Sequence, residues 1–326
     1  MGALDHQLGI VDEVTYGTPV TVTKFYEYNS ESISETEGRT EGDPLRSGTF
    51  VQRNDRFTPY FAGAAGTVQL DVMTKGFGYW LKHMLGAVAT TGPAETTVFT
   101  HSGTVNELIG DMFSLQVNRP FHPAGTNQPF TYSGGKITKW TLSNSVDGNL
   151  VCDLDVDFQT VSDAIALATA SYPTSMENLT WAGGVVTIGG SAFDITEFSC
   201  SWDNAYNVDR RFIRANTLKK EPTNGRRMGE FSMSADFSDL TQRARAHSAT
   251  RAGALAQIIA TWNGPTLLGS TLFPQLKLTI PAARFDSWTG ATEGPTGISQ
   301  TLSGVVRWTG TGSPITLDYA SADTTP

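Results

Sequence analysis

The chain has 326 residues, enough for two domains of ordinary size, each with its own core. Charged residues are 17% of it and the formal net charge is −9. A protein that grips nucleic acid by neutralising phosphates is usually basic, so this balance argues against tight DNA or RNA binding.

Residues 1–23 are polar, carry the turn-rich Tyr16-Gly17-Thr18-Pro19, and read as an arm or leading loop. Lys24–Thr36 reads as a strand with a hydrophilic second half. Residues 37–66 have weak apolar periodicity and many glycines and prolines, the pattern of a long loop available to partners. Val68, Leu70 and Val72 alternate with polar residues as a half-buried strand. Phe77, Trp80, Leu81, Met84 and Leu85 line one stripe of a helix of about three turns, with Gly76 and Gly78 weakening its start. Residues 88–111 read as an insertion. Phe113, Leu115 and Val117 form the next strand, stopped by Pro120 and Pro123. Thr131–Asn144 and Asn149–Gln159 flank Asp147-Gly148, a hairpin signal. In the last of these, Leu150, Cys152, Leu154, Val156 and Phe158 face one way, and Asp153, Asp155 and Asp157 the other.

Residues 160–192 read as a connector with a short glycine-rich hairpin, and then the pattern restarts. Phe193–Trp202 is a strand and 203–229 a charged loop. Phe231, Met233, Ala235 and Phe237 alternate with serines and an aspartate. Ser238 or Asp239 caps a short helix reaching about Thr250. Gly253–Trp262, Leu272–Ser287 and Gly297–Trp308 supply three closing strands, and the polar tail from Thr309 frays or reaches a neighbour. The same element order thus occurs twice, over residues 24–159 and 193–308. The offset falls from about 169 at the first strand to about 163 at the second and to roughly 140–150 at the last three. The chain reads as mainly β, with two tandem modules over residues 1–165 and 166–326.

No catalytic centre emerges. His6, His83, His101, His122 and His247 share no ligand spacing with one another or with Cys152 and Cys200, which read as small buried hydrophobes with free thiols. No Gly-x-Ser-x-Gly elbow or phosphate-binding glycine loop is present, and no cofactor is expected. No stretch of 18 apolar residues predicts a membrane span, and Met1–Gly9 lacks the apolar centre of a secretion signal, so the chain reads as made in the cytoplasm. The two long loops differ in charge. Residues 35–56 mix acids with Arg39, Arg46, Arg53 and Arg56. Residues 203–229 form a basic island of Arg210, Arg211, Arg214, Lys219, Lys220, Arg226 and Arg227, suited to docking on an acidic surface of another copy.

Thr15-Tyr16-Gly17-Thr18-Pro19-Val20 followed by Lys24-Phe25-Tyr26 resembles the opening of tail tube (major tail) proteins of long-tailed bacteriophages. Phe237-Ser238-Asp239, Ile280-Pro281-Ala282-Ala283-Arg284-Phe285-Asp286-Ser287-Trp288 and Gly294-Pro295-Thr296-Gly297-Ile298-Ser299 resemble later segments of the same family. The resemblance implies a β-sandwich or partial barrel per module, with one flanking helix and a long loop. It implies a virion structural protein whose subunits join sheets edge to edge into rings, which stack into a tube for genome ejection. Asn149–Gln159 is then the candidate lumen strand, with Asp153, Asp155, Asp157 and Gln159 facing a channel that duplex DNA transits without specific binding. The basic residues of both long loops are the candidate inter-subunit or inter-ring contacts. The implied partners are further copies of the chain and other tail proteins: tape measure, terminator and tail tip. Two modules per chain point to three chains in a pseudo-sixfold ring; six chains are the alternative. Rival readings are another all-β virion part (tail tip, baseplate hub or capsid decoration) and a carbohydrate-binding protein using Trp181, Trp202 or Trp288.

Overall fold

A computed structural model describes residues 5–95, 97–122, 125–291 and 298–326. Pro123 and the Gly294-Pro295-Thr296-Gly297 run lie outside the described residues. Within them, nineteen strands are joined by antiparallel pairing into one branched sheet, flanked by two short helices. The first half contains β1 (Gln7–Asp12), β2 (Lys24–Tyr26), β3 (Ser30–Glu31), β4 (Ser34–Glu41), β5 (Phe57–Asp71), α1 (Gly78–Leu85), β6 (Gly86–Ala94), β7 (Val98–Val105), β8 (Phe113–Asn118), β9 (Pro129–Ser145), β10 (Val151–Phe158) and β11 (Thr160–Ser162). The second contains β12 (Gly184–Ile188), β13 (Ser191–Ala192), β14 (Glu197–Asp203), β15 (Met228–Asp236), α2 (Thr241–Ala246), β16 (Leu255–Asn263), β17 (Gln275–Ala291), β18 (Ser299–Val306) and β19 (Thr316–Ser321).

The pairing order repeats. In the first half it runs β1, β8, β9, β10, β5, then β3 and β4. In the second it runs β12, β16, β17, β18, β15, β14. The registers fix equivalent positions. Ser30 faces Gln69 as Ser199 faces Ser232, and Asp153 faces Thr141 as Ser303 faces Ser287. The repeat therefore begins earlier than the sequence pattern suggests, at β1 and β12.

Three readings are corrected here. Residues 7–12 are a buried strand with Leu8 and Ile10 in the core, not part of a leading loop. Residues 34–41 and 57–71 pair as one long hairpin, so only 42–56 is irregular. The tail does not fray: β19 pairs with both β17 and β7 and buries Leu317 and Tyr319, with Ile315 buried just before it. The insertion is the β6–β7 hairpin that receives β19.

The apolar stripe of α1 is buried as its spacing requires, with Trp80, Leu81, Met84 and Leu85 fully enclosed. Each such side chain contributes about 1.5–3 kcal/mol on burial. The helix has eight residues, shorter than its stripe implies, because Gly86 adopts a left-handed φ of 107° and ends it. The second helix is shorter still, Thr241–Ala246, with Asp239 accepting from the Thr241 N–H at 2.7 Å. Strand β9 turns a corner at Gly134, whose φ of 69° a side chain would strain. Before the corner it pairs with β8 and β11; after it, with β10 and β14.

Candidate functional site

The β9–β14 ladder joins the two halves into one sheet with two contrasting faces. Registered neighbours across it on the inner face are Leu70, Cys152, Leu142, Cys200 and Phe231, all buried. Both cysteines are free thiols in this row, and burial raises their pKa, that of Cys200 to about 12. On the opposite face one registered row reads Asp71, Val151, Ser143, Ser199, Ser232, Ser303 and Ser287. The next reads Gln69, Asp153, Thr141, Ser201 and Glu230. Strand alternation makes this separation, since successive side chains leave opposite faces.

The outer face is polar, basic at Lys139 and at Arg284, which continues the Glu230 row through Val305, and acidic at Asp71, Asp153, Asp155, Glu197, Asp203 and Glu230. Its carboxylates are held by neighbours. Gln69 Nε2 donates to Asp153 at 2.8 Å, and Thr67 Oγ1 donates to Asp155 at 2.8 Å. The hydroxyls of Ser287 and Ser303 are 2.6 Å apart. Such a surface offers phosphate few cations and an opposing charge.

Asp157 and Gln159 depart from the expectation that they share this face in the open. Asp157 is covered by the 203–227 segment, and Lys219 Nζ donates to its two oxygens at 2.6 and 2.7 Å. Their side chains are only 8% and 4% exposed, respectively. Burial raises the Asp157 pKa against the pull of Lys219. Gln159 Nε2 donates to the Lys219 carbonyl at 2.6 Å, beneath Gly17 and Gly134.

The basic island is likewise engaged within the chain. Arg210 donates to the Glu221 carbonyl at 2.9 Å, and its guanidinium and the Lys220 ammonium lie over the Phe212 ring. Arg211 donates to the Ala62 carbonyl and to Asp209, Arg214 to the Leu218 carbonyl, and Arg227 to the carbonyl ending α1 at Leu85. Arg226 is exposed. Residues the sequence reading passed over complete this seam. Lys136, 1% exposed, meets Glu221 at 2.7 Å, and burial lowers its pKa against that pairing. Asn204, fully buried, donates to the Met84 and Ile137 carbonyls and accepts from Trp202 Nε1. No sequence spacing announces these contacts, because each joins residues more than 60 positions apart except the Trp202–Asn204 bond.

The equivalent connection in the first half is open. Residues 42–56 form a projecting arm with Leu45, Phe50 and Val51 almost wholly in solvent. Arg46, Arg53 and Arg56 are exposed on it and Arg39 on the adjoining β4; Arg53 pairs with Asp55 at 2.7 Å, and the Arg39 guanidinium lies 6.0 Å from the Phe57 ring centre. Trp181, Trp202 and Trp288 do not converge on a ligand groove: Trp202 is buried in the seam, and Trp288 donates to Gln300 at 2.9 Å. Among the described residues no group of three or more His, Cys, Asp or Glu could hold a metal ion. No helix among them is long and apolar enough to cross a membrane.

A family model described as phage tail tube protein matches residues 3–306. The chain belongs to that family. It is a structural protein of the virion tail that assembles with copies of itself into the tube, alongside other tail proteins. The family is not a family of enzymes. A search of the curated proteins finds no match to the chain.

Proposed function

We propose that three chains close one pseudo-sixfold ring of the tail tube, residues 1–165 and 166–326 each supplying one module. The polar face is the wall of the bore through which the genome leaves. Asp153 and Asp155 from the first module, with Glu197 and Glu230 from the second, keep duplex phosphate from adhering. The observation that carries this reading is the β9–β14 ladder, which runs one polar face through both modules. A bore lined by one module alone would have no use for the second row of serines. The chain performs no catalysis in this role, and its partners are further copies, the tape measure, the terminator and the tail tip. The exposed arginines of the 42–56 arm, with Arg226, serve contacts between subunits or rings.

Electron microscopy of assembled tubes with a mass measurement per ring tests the proposal. Six-fold-like end views with three chains per ring are expected; six chains per ring overturn it. Replacing Asp153 and Asp155 together by lysine is expected to leave tubes intact and slow genome ejection at least tenfold. Unchanged ejection by that variant would remove the acidic wall from the account.

A further inference from the structure

Among the strand edges left unpaired in the described residues, two end the registered rows of the polar face. Residues 286–290 of β17 pair with β18 on one side and have no strand on the other. Ser30–Ser32, at β3, is paired only with β5. Neither edge carries a lysine or proline, the residues that commonly discourage further pairing.

The internal repeat identifies what each edge fits. Strand β17 is the counterpart of β9, and the 30–34 run is the counterpart of β14. Inside the chain those counterparts are paired: Thr141 faces Ser201, and Ser143 faces Ser199. The repeat converts these positions one by one. Thr141 and Ser143 correspond to Ser287 and Thr289; Ser199 and Ser201 correspond to Ser30 and Ser32.

Resting on the tube reading above, we infer that the free edge of β17 pairs antiparallel with the Ser30–Ser32 edge of a second copy, Ser287 opposite Ser32 and Thr289 opposite Ser30. The contact repeats the intrachain seam. It is head-to-tail and repeats the step that relates the two halves of one chain, the kind of contact that gives a ring where its rotation divides a full turn. Its chemistry matches on both sides. All four residues carry hydroxyls on the polar face, as do all four residues of the internal seam. Behind them the apolar sides also correspond: Trp140 against Trp202 inside the chain becomes Phe285 against Ile33 between chains, and both of these are buried at the ends of their open runs. Arg119 holds Glu31 at 2.8 and 2.7 Å and the Ile33 carbonyl at 2.8 Å, which fixes the receiving edge in place and centres the new ladder on Ser30 and Ser32.

The test is a pair of cysteines, Ser30→Cys with Thr289→Cys, oxidised after tubes have formed and been seen by electron microscopy. Directly opposed strand residues lie within disulfide reach, whereas a two-residue slip places them about 7–8 Å apart. Interchain dimers and a closed oligomer are expected on non-reducing gels, at least tenfold more than from the slipped pair Ser30→Cys with Ser287→Cys. Cys152 and Cys200 are fully buried and do not compete. Tubes that form without this cross-link, or that cross-link better through the slipped pair, overturn the inferred register and leave the tube reading standing. Should the double variant not assemble, hydrogen exchange on the wild-type chain decides. The edge-facing amides, that of Glu31 and alternate ones of residues 287–290, are expected to slow at least tenfold on assembly, whereas that of Ser32 already donates to the Thr67 carbonyl; unchanged exchange at the edge-facing amides overturns the inference. A wild-type chain that forms neither rings nor tubes removes the tube reading itself.

Discussion

The connection between β4 and β5 and that between β14 and β15 occupy the same place in the repeat and have opposite fates. Residues 203–227 fold back onto the first module, and Lys219 finds Asp157 there. Residues 42–56 project, with Leu45 and Phe50 in water. The first has its partner on the same chain. The second has the composition of a contact whose partner is elsewhere, since a soluble protein rarely leaves large apolar side chains together at the end of an arm. One of the two positions is thus satisfied within the chain, and the other presents its apolar side chains to solvent.

That contrast can be broken most forcefully at Lys219. Lys219→Ala leaves the Asp157 carboxylate buried without its cation, and a loss of about 3–5 kcal/mol is expected from urea unfolding of the unassembled chain. Combining Lys219→Met with Asp157→Leu is expected to recover most of it. A loss under about 1 kcal/mol for the single variant would mean that the segment is docked by its backbone and not by this pair.

A smaller effect separates the seam from another anchor. Burial pushes the Asp12 carboxyl upward, but hydrogen bonds from His83, Tyr79 and Lys82 outweigh it and hold its pKa below the ordinary 3.8. Its stabilisation is present above that value and is lost as pH falls through the lowered one. Asp157 has the opposite sign: its pKa is raised, so its contribution is present below the ordinary value and lost as pH rises through the raised one. Acid unfolding below about pH 4 is therefore expected to flatten in Asp12→Asn and to keep its slope in Asp157→Asn. Circular dichroism melts across pH 2–5 distinguish these outcomes, and equal slopes for both variants would contradict the assignment.

The smallest effect on the free chain belongs to the arm. Leu45→Ser with Phe50→Ser is expected to change unfolding by no more than about 0.5 kcal/mol, as for exposed sites generally. Tube yield by sedimentation is expected to fall at least tenfold. A destabilised monomer would show that the arm packs on its own chain, and undiminished assembly would show that it packs on nothing.

The polar and apolar faces were legible in the sequence because alternation is local. Leu150 to Phe158 and Phe231 to Phe237 each announce two faces within one strand, and both faces are where the spacing puts them. The second half's share of the polar face was visible in Ser232 and Ser234, though nothing local says that Ser232 continues the row that includes Ser143. The seam was not legible. Asp157 and Asp153 occupy identical places in the alternation, and only a segment 62 residues away distinguishes them. Strand β1 was hidden by its brevity, with Leu8 and Ile10 its only large alternating residues on that face. The same alternation in Ile315, Leu317 and Tyr319 was available and is where a polar composition misled the reading.

Strand β19 lies between β17 and β7, so residues 316–321 are stitched to residues 99–104. A nascent polypeptide emerging from the ribosome cannot finish its opening half until residues 316–321, made more than 200 positions later, arrive. Chains halted before Thr316 are expected to keep the 86–105 hairpin open to proteases, which limited digestion of a truncated product would reveal. Synthesis through Ser321 thereby becomes a condition for a sound building block, and copies ended before it are kept out of the growing filament by their own unfinished interior.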